Sequence, residues 1–196
     1  MASPLKLGVL LSGGGTTLEN LIAEIKGGTL DATVSVVVSS SPKAFGLVRA
    51  AKHDIPSRTI RLADYPDNGA FSEAISHVLR DNGVELVILA GFLKLYTIPD
   101  DYRGRVMNIH PALIPKFCGK GFYGHHVHEA VLAAGEKESG CTVHYCDNEY
   151  DHGPIILQRT VPVLDDDTPD TLAKRVFAEE RKAYPEAIRR FIAEKK

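Results

Sequence analysis

Short apolar runs alternate along the first half of the chain with stretches whose apolar residues are spaced as in a helix. The runs cover residues 6–11, 33–38 and 86–90, and glycines or polar clusters follow them. Such runs are typical of strands that are covered on both faces. Helical spacing follows at residues 16–26, 45–53 and 71–80, and a further strand is predicted at residues 58–62. This alternation predicts a parallel sheet with helices on both faces.

The second half of the chain has a different pattern. Residues 106–110 read as the end of a buried strand, and residues 142–146 and 155–160 as the two strands of a hairpin. Thr168 and Pro169 start a last helix. We therefore predict an α/β fold with a Rossmann-like, mostly parallel sheet flanked by helices, a C-terminal β-hairpin extension and a terminal helix. A single domain over residues 1–196 is expected, with halves at about 6–100 and 101–196.

A glycine loop, Ser12-Gly13-Gly14-Gly15, joins the first strand to the first helix. Thr16 to Glu19 has the capping-box pattern, so this loop lies at a predicted helix N-terminus, where backbone amides and the helix dipole favour phosphate. The glycines could instead make only a tight turn. A dinucleotide site is less favoured, because Leu18 replaces the third small residue and Ser39-Ser40-Ser41 replaces the acid that binds ribose.

Asn108 and His110 lie on either side of Ile109 at the end of their strand, and Pro111 stops it. Side chains alternate faces in a strand, so the amide and the imidazole point the same way. Open α/β sheets bind ligands at such carboxyl ends. The plain alternative is a satisfied polar pair.

Composition excludes some classes of function. The formal charge is −2 without a long basic run, so a general nucleic-acid surface is not indicated. No apolar run approaches membrane-span length, and the first residues lack the pattern of a signal peptide. The odd count of three cysteines, at spacings that fit no zinc signature, predicts free thiols in a reducing cytoplasm. No nearby acid or cysteine completes an obvious set of metal ligands with His125, His126 and His128, so we expect surface histidines rather than a metal site.

Three motifs together resemble the folate-dependent formyltransferases. They are the glycine loop, the segment Asn-Ile-His-Pro-Ala-Leu-Ile-Pro at residues 108–115, and Asp-His-Gly-Pro at residues 151–154. They stand in the family's order, and the resemblance extends from about residue 6 to about residue 191. It is greatest to the members that formylate glycinamide ribonucleotide in purine (IMP) synthesis.

The resemblance implies roles for particular residues. Asn108, His110 and Asp151 would be catalytic, with His144 orienting Asp151, although Asp151 could be a turn residue and His144 a core histidine. A carboxylate near His110 would favour its protonated form and could relay protons. The substrate phosphate would bind at Gly14, Gly15, Thr16 and Thr17. Folate would contact Leu93, Lys94, Leu95, Tyr96, Asn108, Asn148, Glu149, Tyr150 and Asp151.

Some implied roles compete with simpler ones. Glu180 falls where the family has an acid near the substrate amine or phosphate, but it could be a solvated charge, as could Lys94. Phe177 departs from a polar substrate contact seen in some members. The glycine-rich segment 116–124 suggests a mobile loop beside the ligand site.

The implied reaction transfers a formyl group from 10-formyltetrahydrofolate, a co-substrate, to the amine of N1-(5-phospho-D-ribosyl)glycinamide, without a metal. Small-molecule substrates are the expected partners of a cytoplasmic enzyme, with no nucleic acid and no membrane; the pattern does not predict the oligomeric state. A formyltetrahydrofolate hydrolase and a sugar-nucleotide N-formyltransferase are alternatives. From another class, the chain could be an inactive folate- or nucleotide-binding protein.

Overall fold

A computed structural model describes residues 3–195 of the chain. It contains seven strands, which are β1 (Leu5–Leu11), β2 (Ala32–Ser39), β3 (Ser57–Thr59), β4 (Leu86–Leu89), β5 (Val106–His110), β6 (Glu138–Tyr145) and β7 (Ile155–Pro162). Five α-helices accompany them, namely α1 (Thr16–Lys26), α2 (Phe45–Lys52), α3 (Asn68–Asp81), α4 (His125–Ala133) and α5 (Pro169–Glu194). The strands are hydrogen-bonded in the order β3-β2-β1-β4-β5-β6-β7, which confirms the predicted α/β fold with its mostly parallel sheet.

The chain divides into two compact units between Met107 and Asn108. In the first unit, β1 pairs in parallel with both β2 and β4, and β2 pairs in parallel with β3. Six of the seven β1 residues are buried, as expected of a strand between two neighbours and under two layers of helix. Helix α1 buries Leu18, Leu21 and Ile22 at helical spacing. The sheet core therefore follows from the apolar runs of the sequence.

The second unit contains the predicted antiparallel hairpin, β6 with β7. Its register shifts between Val143 and His144, where one strand carries an extra residue. Helix α5 packs against both strands and against α4. It starts where the sequence predicts, with Thr168 as N-cap and Pro169 as its first residue, and the Thr168 side chain accepts a hydrogen bond from the backbone of Thr171.

Several local predictions are wrong. The first helix has no capping box, because Gly15, with a φ of 70°, is the N-cap and Thr16 is already helical. Strand β3 has only three residues and is followed by a short 3₁₀ helix, Leu62–Asp64. Histidines 125 and 126 are exposed as expected, whereas His128 is buried at 4% exposure.

Within residues 3–195, no helix combines the length and the apolar character that crossing a membrane requires. In the same part of the chain, no group of three or more His, Cys, Asp or Glu side chains has an arrangement that could hold a metal ion.

Candidate active site

Strand β5 ends with Asn108 and His110, and both reach the carboxylate of Asp151 within the second unit. The amide Nδ2 of Asn108 donates to Oδ1 of Asp151 at 3.2 Å. The Nδ1 atom of His110 lies 3.5 Å from Oδ2 of the same carboxylate. His144 on β6 places Nε2 3.4 Å from the Asn108 amide and 3.7 Å from Oδ1 of Asp151. The four residues Asn108, His110, His144 and Asp151 are called the Asp151 cluster below.

The hairpin loop explains how Asp151 reaches this position. Asp151 itself has a φ of 53°, a left-handed conformation that aspartate tolerates better than most residues. Two residues later, Gly153 passes so close to β6 that a Cβ there would collide with the carbonyl oxygen of Tyr145. The amide of Tyr145 also donates to the carbonyl of Pro154 at 2.9 Å. The loop is thus fastened to β6 directly after Asp151, and the carboxylate is turned inward.

Hydrogen bonds to carbonyl oxygens fix one proton on each imidazole. A carbonyl can only accept, so Nε2 of His110 donates to Phe117 at 2.7 Å, and Nδ1 of His144 donates to Tyr145 at 2.9 Å. The other nitrogen of each ring then faces Asp151 or the Asn108 amide. Both rings are buried, with His110 3% and His144 1% exposed. The cluster is therefore orientated by backbone groups and largely removed from water.

Burial and charge shift the pKa values of the cluster in opposite ways. Burial lowers the pKa of His110, and the nearby charge of Asp151 only partly offsets this effect. The expected preference for a protonated imidazole is therefore outweighed by desolvation. Burial alone would raise the pKa of Asp151, but His144, His110 and the Gly119 amide together hold it below its ordinary value. A neutral His110 thus faces an ionised Asp151.

The 116–124 loop contributes two backbone groups to the cluster that the sequence did not indicate. In addition to the Phe117 carbonyl at His110, the amide of Gly119 donates to Oδ2 of Asp151 at 2.9 Å. Gly119 has a φ of 91°, a conformation that glycine adopts readily, and Phe117 has a φ of 52°, which is uncommon for a residue with a side chain. The three glycines were the available signal, since they predicted a loop near the site but not its contacts.

The predicted phosphate residues lie in the first unit, at the end of β1 and the start of α1. Gly14 and Thr16 are exposed, Thr17 is partly exposed and Gly15 is buried. Ser12 ties this loop to two other strand ends: its hydroxyl shares a hydrogen bond with Ser40 at 2.6 Å and accepts from the amide of Leu93 at 2.9 Å. The contact with Leu93 brings the start of one predicted folate segment next to the glycine loop.

The remaining predicted site residues differ in accessibility. Lys94 is exposed, whereas the ring of Tyr96 is only 4% exposed and its hydroxyl bonds to Ser76 at 2.8 Å. In the second unit, Asn148, Glu149 and Tyr150 are exposed on the loop that leads to Asp151.

Glu180 on α5 is partly accessible, yet burial raises the pKa of its carboxyl to about 7. Burial and the charge of Glu180 raise the pKa of Cys141 to about 12, which shows that the two residues are neighbours. Phe177, one turn earlier on α5, is also partly exposed.

Comparison with known proteins matches residues 5–188 to the formyl transferase family. The chain is 34% identical over 188 residues to phosphoribosylglycinamide formyltransferase of Haemophilus influenzae, which covers 95% of this chain and 86% of that protein. It is 40% identical to the trifunctional purine biosynthetic protein adenosine-3 of Drosophila pseudoobscura over 93% of this chain, but this spans only 13% of that protein's length. The crystal structure of glycinamide ribonucleotide transformylase 1 from Symbiobacterium toebii superposes with a TM-score of 0.91 at 39% identity, over 97% of this chain and 89% of that one.

Proposed function

Because the chain belongs to the formyl transferase family, we propose that it transfers the formyl group of 10-formyltetrahydrofolate to the amine of N1-(5-phospho-D-ribosyl)glycinamide. The products are the N2-formyl ribonucleotide and tetrahydrofolate, in purine (IMP) biosynthesis. The names of the Haemophilus and Drosophila relatives support this substrate and pathway. The observation that carries the proposal is the convergence of Asn108 and His110 on the carboxylate of Asp151.

The reaction sets three chemical demands. The amine nitrogen bonds to the formyl carbon, and the bond from that carbon to N10 of the folate breaks. Between these events the carbonyl oxygen carries a negative charge, which needs hydrogen-bond donors. One proton leaves the amine and one reaches the folate nitrogen. Each donor aimed at a developing oxyanion typically contributes about 3–4 kcal/mol.

The Asp151 cluster suits the proton transfers. Nδ1 of His110 faces Oδ2 of Asp151 at 3.5 Å, and in the neutral–ionised pairing no proton lies between them. This pair can accept the proton that the amine releases and share it, because a proton there would satisfy both groups. The pair can then return a proton to the folate nitrogen as it leaves.

Stabilisation of the oxyanion falls to the N–H groups of His110 and Asn108. The Nε2–H of His110 donates to the carbonyl oxygen of Phe117, so the formyl oxygen has to replace that acceptor for this N–H to serve the oxyanion. The two amide hydrogens of Asn108 are directed at Asp151 and His144, so one of them must be redirected to serve the oxyanion. His144 holds the Asn108 amide and acts as an auxiliary residue.

Substrate binding is assigned mainly to residues outside the cluster. The amides at Gly14, Gly15, Thr16 and Thr17 bind the phosphate. Glu180 binds the substrate near its amine. Folate is contacted by Leu93, Lys94, Leu95 and Tyr96, the last through its backbone because its ring is buried, and by residues 148–151.

The proposal includes a direct displacement without a metal, in a cytoplasmic enzyme whose partners are its small-molecule substrates. Three unpaired cysteines, Cys118, Cys141 and Cys146, favour a reducing compartment. We retain a single functional domain over residues 1–196 as part of the proposal.

A steady-state assay tests the proposal. Purified protein is incubated with 10-formyltetrahydrofolate, with and without glycinamide ribonucleotide, and loss of formylfolate is followed. We expect loss only when the ribonucleotide is present. Loss without it, with release of formate, would instead make the protein a hydrolase. If both tubes are unchanged, amino-sugar nucleotides are tested as acceptors, and a negative result there leaves only a binding role.

A further inference from the structure

Helix α2 holds the glycine loop by two hydrogen bonds to its carbonyl oxygens. The backbone amide of Gly46 donates to Gly13 at 3.0 Å. The Nε atom of Arg49, one turn further along α2, donates to Gly14 at 2.9 Å. Two successive peptide groups of the loop therefore point their carbonyls towards the same helix.

The direction of these carbonyls determines the direction of the amides that follow them. A trans peptide is planar, and its N–H points away from its C=O. The N–H groups of Gly14 and Gly15 therefore point away from α2, on the opposite side of the loop. There is free space beside the loop, since a Cβ built on Gly13 or Gly14 meets nothing within 4 Å. Successive amides that face one way form a concavity that binds anions, and helix α1 begins directly after it.

The side chain of Arg49 is itself held in place. Its NH1 atom pairs with Glu19 at 2.9 Å, and its guanidinium lies 5.2 Å from the ring centre of Phe45. Glu19 is also bound by Nε2 of His53 at 3.1 Å. Because Glu19 balances its charge, Arg49 adds little net attraction for an anion. Its particular contribution is the orientation of the Gly14–Gly15 peptide.

The loop and helix α2 also touch through their backbones. A Cβ built on Gly15 would lie 2.6 Å from the Cα of Gly46. A side chain at Gly15 would separate the two segments and lengthen both hydrogen bonds, whereas one at Gly46 would collide with the side chain of Leu11. The Arg49 contact is thus one part of a close, fixed junction.

We propose that Arg49 is a positioning residue for phosphate recognition, which turns the Gly14–Gly15 peptide so that its N–H faces the phosphate of the acceptor substrate. The inference rests on the proposed function, because that function supplies the phosphate-bearing acceptor. It adds a residue on α2 that does not itself need to touch the ligand.

The test compares Arg49→Met with the unchanged protein on two acceptors, glycinamide ribonucleotide and its dephosphorylated form, glycinamide riboside. We expect KM for the ribonucleotide to rise on the order of tenfold, as for loss of a hydrogen bond that supports a charged ligand. The kcat and the KM for 10-formyltetrahydrofolate stay unchanged, and kcat/KM for the riboside is the same in both proteins. An unchanged KM for the ribonucleotide, or an equal loss with the riboside, would overturn the proposal.

Further variants separate orientation from charge and from general damage. Arg49→Lys keeps the charge but cannot reproduce the fork that reaches Gly14 and Glu19 together, so KM should rise as in Arg49→Met. Full rescue by lysine would show that charge is what matters and would contradict the proposal. Arg80→Met is the matched control, because Arg80 also bridges two groups in the first unit, Asp101 and Glu73, and it should leave KM unchanged. If Arg49→Met does not fold, Glu19→Gln loosens the same arginine and should raise KM for the ribonucleotide alone.

If the protein without substitutions shows no activity, the proposed function is wrong, but the positioning role of Arg49 can still be tested. In that case binding of inorganic phosphate is measured directly by calorimetry. Weaker binding by Arg49→Met than by Arg80→Met would support the positioning role, and equal binding would overturn it.

Discussion

The glycine loop of the first unit and the Asp151 cluster of the second unit present different kinds of chemical group. The loop offers backbone amides, set in place by Gly46 and Arg49 of helix α2. The cluster offers side chains that are buried and ionisable, set in place by the carbonyl of Phe117 and the amide of Gly119. In the glycine loop, a neighbouring helix holds the backbone in place. In the Asp151 cluster, backbone groups hold the side chains in place.

This difference has a chemical consequence. Peptide amides do not titrate, so a site made from them recognises an anion in the same way across the physiological pH range. Groups that must take up and release protons have to titrate, and the surroundings of His110, Asp151 and Glu180 shift their pKa values: burial lowers that of His110 and raises that of Glu180, and neighbouring groups lower that of Asp151. We therefore expect the second unit to respond strongly to pH and to charge-removing substitutions, and the loop to respond to changes in backbone geometry.

Asp151→Asn should produce the largest effect. The amide cannot accept a proton, and it has one acceptor oxygen where Asn108 and Gly119 each direct a donor at the carboxylate. We expect kcat to fall by about 10²–10⁴-fold, the usual range for a general acid–base residue, with ligand affinities nearly unchanged. Single-turnover rates and equilibrium binding of both substrates measure the two effects separately.

Asp165→Asn provides the control for this substitution. Asp165 is 98% exposed in its side chain and pairs only at the surface with Lys137, so its loss should not alter turnover. Near-normal turnover in Asp151→Asn would refute the catalytic assignment.

His128→Gln should remove a large part of the acid sensitivity of folding. Burial lowers the pKa of His128 from 6.5 to about 4, and its Nδ1 atom has no hydrogen-bond partner within residues 3–195. Because the folded value is the lower one, the unfolded chain binds the proton first. Stability is then complete above pH 6.5 and is lost as the pH falls towards 4. This residue should contribute about 2 kcal/mol of destabilisation between pH 7 and pH 5.

Urea unfolding at pH 7 and pH 5 measures this loss in the original protein and in the variant. His126→Gln is the matched control, since His126 lies on the same helix and its side chain is 61% exposed. Equal acid losses in the original protein and in His128→Gln would show that another group is responsible.

His128 also shows what could have been read from the sequence and what could not. It stands three residues before Val131, and Val127 and Val131 are buried with it, so helical spacing alone could have placed it on the inner face of α4. The grouping of His125, His126 and His128 instead suggested that all three side chains are exposed. The packing of α4 against α5 depends on residues far apart in the chain, and local patterns do not indicate it.

The Asp151 cluster could likewise be predicted only in part, because local periodicity is visible in the sequence and long-range contacts are not. Asn108 and His110 share a face because strand periodicity is a local rule. Their contact with Asp151 depends on the register of the β6–β7 hairpin, which shifts at His144, and no local pattern indicates that shift. The role of α2 was missed because Gly46 and Arg49 contact the loop across more than 30 positions of sequence. Family resemblance supplied the candidate residues of the cluster, but not the hydrogen bonds that orientate them.

Glu180→Gln should have a smaller and pH-dependent effect on substrate binding. With a pKa of about 7, the carboxyl is mostly protonated at pH 6 and mostly ionised at pH 8. If the ionised form binds the acceptor, KM for the ribonucleotide in the variant should be several-fold above the original value at pH 8 and equal to it at pH 6.

Stability of the same variant provides an independent check. Burial raises the folded pKa above 4.5, so the original protein loses stability as the pH rises through about 7, and the variant should not. Urea unfolding at pH 6 and pH 8 measures this difference. A KM difference that is the same at both pH values would argue against a carboxylate contact.

Thr16→Ala should have the smallest effect. It tests most directly whether the glycine loop acts through its backbone, in contrast to the side chains of the Asp151 cluster. Thr16 is exposed, and the N-cap of α1 is Gly15, so the Thr16 side chain makes no capping hydrogen bond. If the phosphate is bound by backbone amides, removal of this hydroxyl leaves those amides in place. We expect KM for the ribonucleotide to change by no more than about threefold, the lower end of the range for the loss of one neutral hydrogen bond. Gly15→Ala, by contrast, forces a Cβ against Gly46 at a φ of 70° and should weaken ribonucleotide binding much more. A loss in Thr16→Ala as large as that in Gly15→Ala would show that the loop recognises its ligand through side chains, and the distinction between the two regions would no longer hold.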